Sequence, residues 1–86
     1  MMLGELAVLV NALISRDPKI CFGKPHITGT RIKVSFILEL LSSGLTIERI
    51  LGEYDYLTSE QIAACLSFAE FAADTYRGDM TIDNEA

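Results

Sequence analysis

Three of the seven basic residues in this chain, Lys24, Arg31 and Lys33, fall in the stretch FGKPHITGTRIKV at residues 22–34, together with the single histidine, His26. Cations and glycines this close suit phosphate. A phosphate-cradling loop, however, needs G-x-x-x-x-G-K-[ST] running into a helix, so that backbone amides converge on the anion. Here Gly23-Lys24 comes first, and Pro25 and extended residues follow. His26 has no second ligand-type side chain at helical or knuckle spacing, so no metal site is expected and its side chain reads as partly buried or exposed. Cys21 and Cys65 stand 44 positions apart, with no second histidine to partner either thiol in a base-orienter pair and no further cysteine to build a zinc cluster or a disulfide framework. No catalytic residue, metal or cofactor is expected, so the chain does not read as an enzyme. What remains is recognition.

The charges divide unevenly along the chain. Residues 1–33 hold five basic and two acidic residues, net +3, whereas residues 34–86 hold two basic and ten acidic residues, net −8. One end can face phosphate; the other repels it. With 86 residues, half of them apolar, and a mean hydropathy of +0.32, the chain is rich in apolar side chains for one small domain. A domain of this size buries a little over ~60% of its unfolded surface. A homodimer or higher homo-oligomer is therefore expected. The opening MMLGELAVLVNALI lacks a basic leader region, carries Glu5 and is too short to span a bilayer, so it reads as a docking helix or strand with no membrane role. Two free thiols suit a reducing cytoplasm. The division is an apolar extension at residues 1–12, one domain at 13–76 and an acidic tail at 77–86.

From Leu13 to Val34, Asp17-Pro18, Gly23, Pro25 and Gly29 break the chain into short extended pieces, the mark of a β-hairpin-like arm. Beyond Val34 the period becomes helical. Ser35 is expected to cap FILELLSS, which Gly44 stops, with Leu45 folding back on Leu40 in a Schellman ending. Thr46 caps TIERILGEY, whose buried stripe is Ile47, Ile50, Leu51 and Tyr54. Thr58 and Gln61 form a capping box for the third helix, and Leu57 and Ile62 stand at the two positions of a hydrophobic staple. Along that helix Ser67, Glu70, Asp74 and Arg77 form a polar stripe, leaving Ile62, Leu66, Phe68, Phe71 and Tyr76 on an arc too wide for one core. These are the expected interface residues. The fold class is mainly α, a trihelical helix-turn-helix bundle of the homeodomain-like or winged kind behind the arm.

A recognition helix normally presents basic or amide groups at its start, and here there is no lysine or arginine between Arg49 and Arg77. Ser59 can meet a phosphate and Gln61 an adenine edge, although Gln61 is also the capping-box partner. DNA contact falls to Lys24, Arg31 and Lys33 in the arm, with Arg31 alternatively paired to Asp17.

Residues 14–69, from ISRDPKICFGKPHITGTRIKV into the third helix at SEQIAACLSFA, resemble the domain of unknown function 433 family. That family's pattern is Asp-Pro, then Gly-Lys-Pro-x-Ile-x-Gly-Thr-Arg-Ile-x-Val, a first helix ending in glycine, a short second helix and Leu-Thr-x-x-x-Ile. Asp17, Pro18, Gly23, Pro25, Gly29, Thr30 and Ile32 are structural positions of this motif here, while Asp55 stands where the family often has proline. The resemblance implies a helix-turn-helix fold and, for many members, an antitoxin role beside a PIN-like ribonuclease toxin, with possible operator DNA binding. Two alternatives stay open: an interaction or dimerisation module without DNA binding, and a standalone transcription regulator. The tail RGDMTIDNEA is expected either to be solvated or to mimic RNA charge against such a nuclease, anchored by Met80 and Ile82.

Overall fold

A computed structural model of the chain describes residues 12–75. The apolar extension up to Asn11, the acidic tail and Tyr76 lie outside these residues. Strand β1 (Ile14–Ser15) pairs antiparallel with β2 (His26–Ile27), Ile14 opposite Ile27 and Ser15 opposite His26. Helices α1 (Val34–Ser42), α2 (Ile47–Glu53) and α3 (Ser59–Thr75) follow. The arm is thus a two-strand antiparallel sheet, and each strand is as short as the flanking prolines require. Between the strands lies one 3-10 turn, Cys21–Gly23, which the sequence reading did not foresee.

The helices end where their local side chains dictate. At the end of α1, Gly44 takes φ 105°, its amide donates to the Leu41 carbonyl at 3.0 Å, and the Leu45 amide donates to the Leu40 carbonyl at 3.2 Å. Both bonds of the Schellman motif are present. Thr46 Oγ1 accepts from the Arg49 amide at 3.1 Å and caps α2. At α3 the capping box is reciprocal: Gln61 N donates to Thr58 Oγ1 at 3.2 Å and Thr58 N to Gln61 Oε1 at 2.8 Å.

Two expectations are corrected. Helix α1 starts two residues earlier than a Ser35 cap would place it: Lys33 is the N-cap residue and makes no side-chain cap bond. The Val34 amide, the first of the helix, donates to the Pro25 carbonyl at 3.0 Å, so the arm satisfies one of the amides that the helix itself leaves without an acceptor. In α2 only Ile50 is fully buried; Leu51 and Tyr54 are half-buried and Ile47 is exposed.

One core joins arm and bundle. Ile14 and Ile27 from the strands meet Val34 and Ile37 of α1, Ile50 of α2, Leu57 of the turn, and Ile62, Ala64 and Cys65 of α3. Helix α3 packs against α1, α2 and β1, and β2 packs on α1. Among the described residues no helix is long and apolar enough to cross a membrane.

Candidate interaction surfaces

The signature motif is a backbone lock. Thr30 Oγ1 donates to the Ile27 carbonyl at 2.8 Å and accepts from the Ile32 amide at 3.0 Å, while the Thr30 amide also reaches the Ile27 carbonyl at 3.0 Å. Gly29 sits at φ 83° in the third position of this turn, as a type II turn requires. Only Gly takes that angle without strain. The Ile27 amide closes the bend on the Ile32 carbonyl at 2.9 Å, and Ile32 packs against the core.

The other half of the motif is a second tight unit. Asp17 Oδ1 accepts from the Lys19 amide at 2.8 Å and the Asp17 carbonyl from the Ile20 amide at 2.8 Å, so Asp17-Pro18 makes an Asx-type turn. The Asp17 carboxylate is therefore held by backbone, and the only salt bridge among the described residues is Arg49 Nε to Glu53 Oε2 at 3.3 Å. Arg31 and Lys24 are exposed and Lys33 is half-buried. The three cations proposed to meet phosphate thus sit on one arm, with Arg31 clear of Asp17.

Immediately after the Asx turn, Cys21, Phe22 and Gly23 take φ 54°, 57° and 79° in succession. Three consecutive left-handed residues, two of them not glycine, are costly for L-amino acids. The Cys21 thiol donates to the Arg31 carbonyl at 3.3 Å, and the Lys24 amide to the Cys21 carbonyl at 3.0 Å. Phe22 projects from this turn with 95% of its surface exposed. Sequence reading passed over it; the available signal was a large apolar residue amid punctuation, with no helical or strand period to bury it.

His26 lies deeper than a partly buried or exposed side chain: it is 2% exposed, with Nδ1 3.4 Å from the Lys24 carbonyl. No group of three or more His, Cys, Asp or Glu side chains among the described residues is placed to hold a metal ion. Burial pushes the Cys65 thiol up to about 11, whereas Cys21 is half-buried.

Helix α3 separates the expected interface residues. Ile62 is fully buried in the chain's own core and is corrected from an interface residue to a core residue. Phe68 is half-buried, with the Arg16 guanidinium 5.8 Å above its ring. Leu66 and Phe71 remain 43% and 65% exposed. At 3.6 residues per turn these two point about 140° apart, and Ser67, Glu70 and Asp74 fall between them. The outer surface of α3 is an acidic stripe with an apolar residue on each flank. At its start, Ser59 Oγ is 3.4 Å from Glu60 Oε1, and Gln61 is engaged in the capping box. Two further apolar residues, Ile47 and Tyr56, are exposed around α2, with Tyr56 edge-on to Tyr54 at 6.5 Å.

Two helices joined by residues 54–58, a third helix packed with them, and a short antiparallel pair in front define the helix-turn-helix class of small mainly α proteins. Within that class, the family model described as "Protein of unknown function (DUF433)" matches residues 14–69, and the chain belongs to this family. A crystal structure of a DUF433 member protein from Anabaena variabilis ATCC 29413, determined at 2.00 Å resolution, is similar to it, with 27% sequence identity and a TM-score of 0.70. The similarity covers 85% of this chain and 71% of that one. No curated protein matches the chain.

Proposed function

We propose that this chain is a non-catalytic, antitoxin-like binding protein that works in the cytoplasm and docks on a partner protein through α3, the fitting partner being a ribonuclease of the PIN-like kind. The observation that carries this reading is the outer surface of α3, where Leu66 and Phe71 flank the acidic stripe of Glu70 and Asp74. A nuclease must present positive potential along its RNA path, and an acidic stripe with apolar flanks complements such a groove in charge and in hydrophobicity. Homo-oligomerisation, expected from the apolar composition, is the competing use of this helix. Pairing two copies about a two-fold axis through it would bring like charges together.

Operator binding, where it occurs, belongs to the arm, because Gln61 is engaged in its cap and α3 is acidic. The engaged Gln61 also favours the second reading, an interaction module without DNA contact.

The test is co-expression with the product of the adjacent reading frame, followed by titration calorimetry and an RNA-cleavage assay. Phe71→Asp combined with Asp74→Lys should weaken the complex by about 100-fold or more, because it buries an unpaired charge and reverses another. Sedimentation of the chain alone reports self-association in the same variant. Unchanged affinity and full inhibition by the double variant would remove α3 as the docking surface.

A further inference from the structure

Phe22 is the large side chain that the fold least accounts for. Its ring is 95% exposed, its backbone is left-handed at φ 57°, and its neighbour Cys21 is left-handed as well. Glycine or asparagine would hold this turn at lower cost. Its apolar neighbours in sequence, Ile20, Cys21 and Pro25, are half-buried, whereas Lys19 and Lys24 on either side are exposed, and the Cys21 thiol ties the turn to the backbone of Arg31, whose side chain is also exposed. An aromatic anchor for a protein pocket normally stands inside an apolar patch. The other exposed large apolar residues of the described chain, Ile47, Tyr56, Leu66 and Phe71, belong to the helices and the turn between them.

An exposed ring on a turn that also carries exposed cations is instead the arrangement that stacks on an unpaired base while the cations track phosphate. We infer that the Cys21–Gly23 turn is a stacking platform for single-stranded nucleic acid, with Phe22 taking a base and Lys19, Lys24 and Arg31 taking the backbone. This goes beyond the α3 docking surface and does not rest on it. The left-handed run fixes the ring outward, so the strain is part of the device. Stacking is tolerant of sequence, so the platform selects strandedness rather than a motif.

The chain has no tryptophan, so Phe22→Trp introduces one fluorophore at the proposed contact. Labelled single-stranded RNA and DNA of about 12 nucleotides, and the duplex of the same sequence, are titrated by anisotropy. Phe22→Ala should weaken single-strand binding by about 5- to 100-fold with the salt slope unchanged. Lys24→Ala and Arg31→Ala should each lower that slope by about 0.7. Phe22→Trp should bind like the parent chain and be quenched at saturation by single strands but not by duplex.

Equal binding by Phe22→Ala, no quenching at saturation, or no single-strand binding by the parent chain would each overturn the inference. Circular dichroism confirms that each variant is folded. Loss of the ribonuclease complex in Phe22→Ala, with oligonucleotide binding intact, would also overturn it, making the turn a protein anchor. Failure of the α3 variant leaves all of these readings unchanged, so the two surfaces stand or fall separately.

Discussion

The arm and the helices are held by different kinds of bond, although they share one core. Each helix boundary is set by residues a few positions away: Gly44 ends α1, Thr46 starts α2, and Thr58 and Gln61 start α3. The arm adds to its local Thr30 turn contacts that neighbouring residues do not announce. Its Pro25 carbonyl serves a helix nine residues on, its Cys21 thiol reaches the Arg31 carbonyl, and its left-handed turn presents a ring to solvent. Their surfaces differ too, cationic on the arm and acidic on α3. Local rules thus built the frame, and tertiary contacts built the part that departs from them.

The sharpest way to break this contrast is Ile27→Ala, because Ile27 carries the arm into the common core and is fully buried. A loss of about 2–5 kcal/mol is expected for such a deletion. Urea unfolding followed by far-UV circular dichroism should remain one transition; a bundle that stays helical with the arm released would show that the regions are independent.

Cys65 tests the same core by pH. Its thiol titrates at about 11 in the folded chain against an ordinary 9.0, so between these values the unfolded state has lost the proton and the folded state has kept it. Stability is full below pH 9 and falls as pH rises towards 11, by about 2–3 kcal/mol in all. The difference between the parent chain and Cys65→Ala, measured as urea midpoint against pH, isolates this slope from the tyrosines and lysines. A parallel pair of curves would contradict the burial.

Thr30→Val should cost about 1–3 kcal/mol, since it leaves the Ile32 amide without its acceptor. Thr58→Ala, which removes a cap from an exposed helix end, should cost about 1 kcal/mol. Comparing their urea midpoints sharpens the contrast between arm and helix; equal effects would mean that Thr30 is an ordinary turn residue.

The same contrast explains what could be read beforehand. Capping and Schellman signals need only a few consecutive residues, so Gly44, Thr46 and Thr58-Gln61 were legible, as were three helices behind a short paired arm. Ser35 misled because the acceptor for the first amide of α1 lies nine residues upstream, at Pro25, and no local pattern marks it. His26 was placed too near the surface because its burial depends on α1 and β1 covering β2. Of the candidate sites, the lysines and arginines of the arm were visible as charges, and the apolar arc of α3 was visible as a pattern. That Ile62 turns inward while Leu66 and Phe71 stay outside depends on how α3 rolls against α1 and α2. Phe22 was missed because its one signal, a large apolar residue amid turn residues with no period to bury it, does not show which way the left-handed turn points the ring.

The bond from the Val34 amide to the Pro25 carbonyl has a kinetic meaning. In a helix capped by its own side chains, the first amides are shielded from exchange with solvent as soon as the helix forms. Here the first amide of α1 gains its acceptor only when the segment before it has docked. In deuterium oxide Val34 should therefore exchange together with Ile27 and Ile32 rather than with the interior of α1, making it a clock for arm docking and release within an otherwise helical framework.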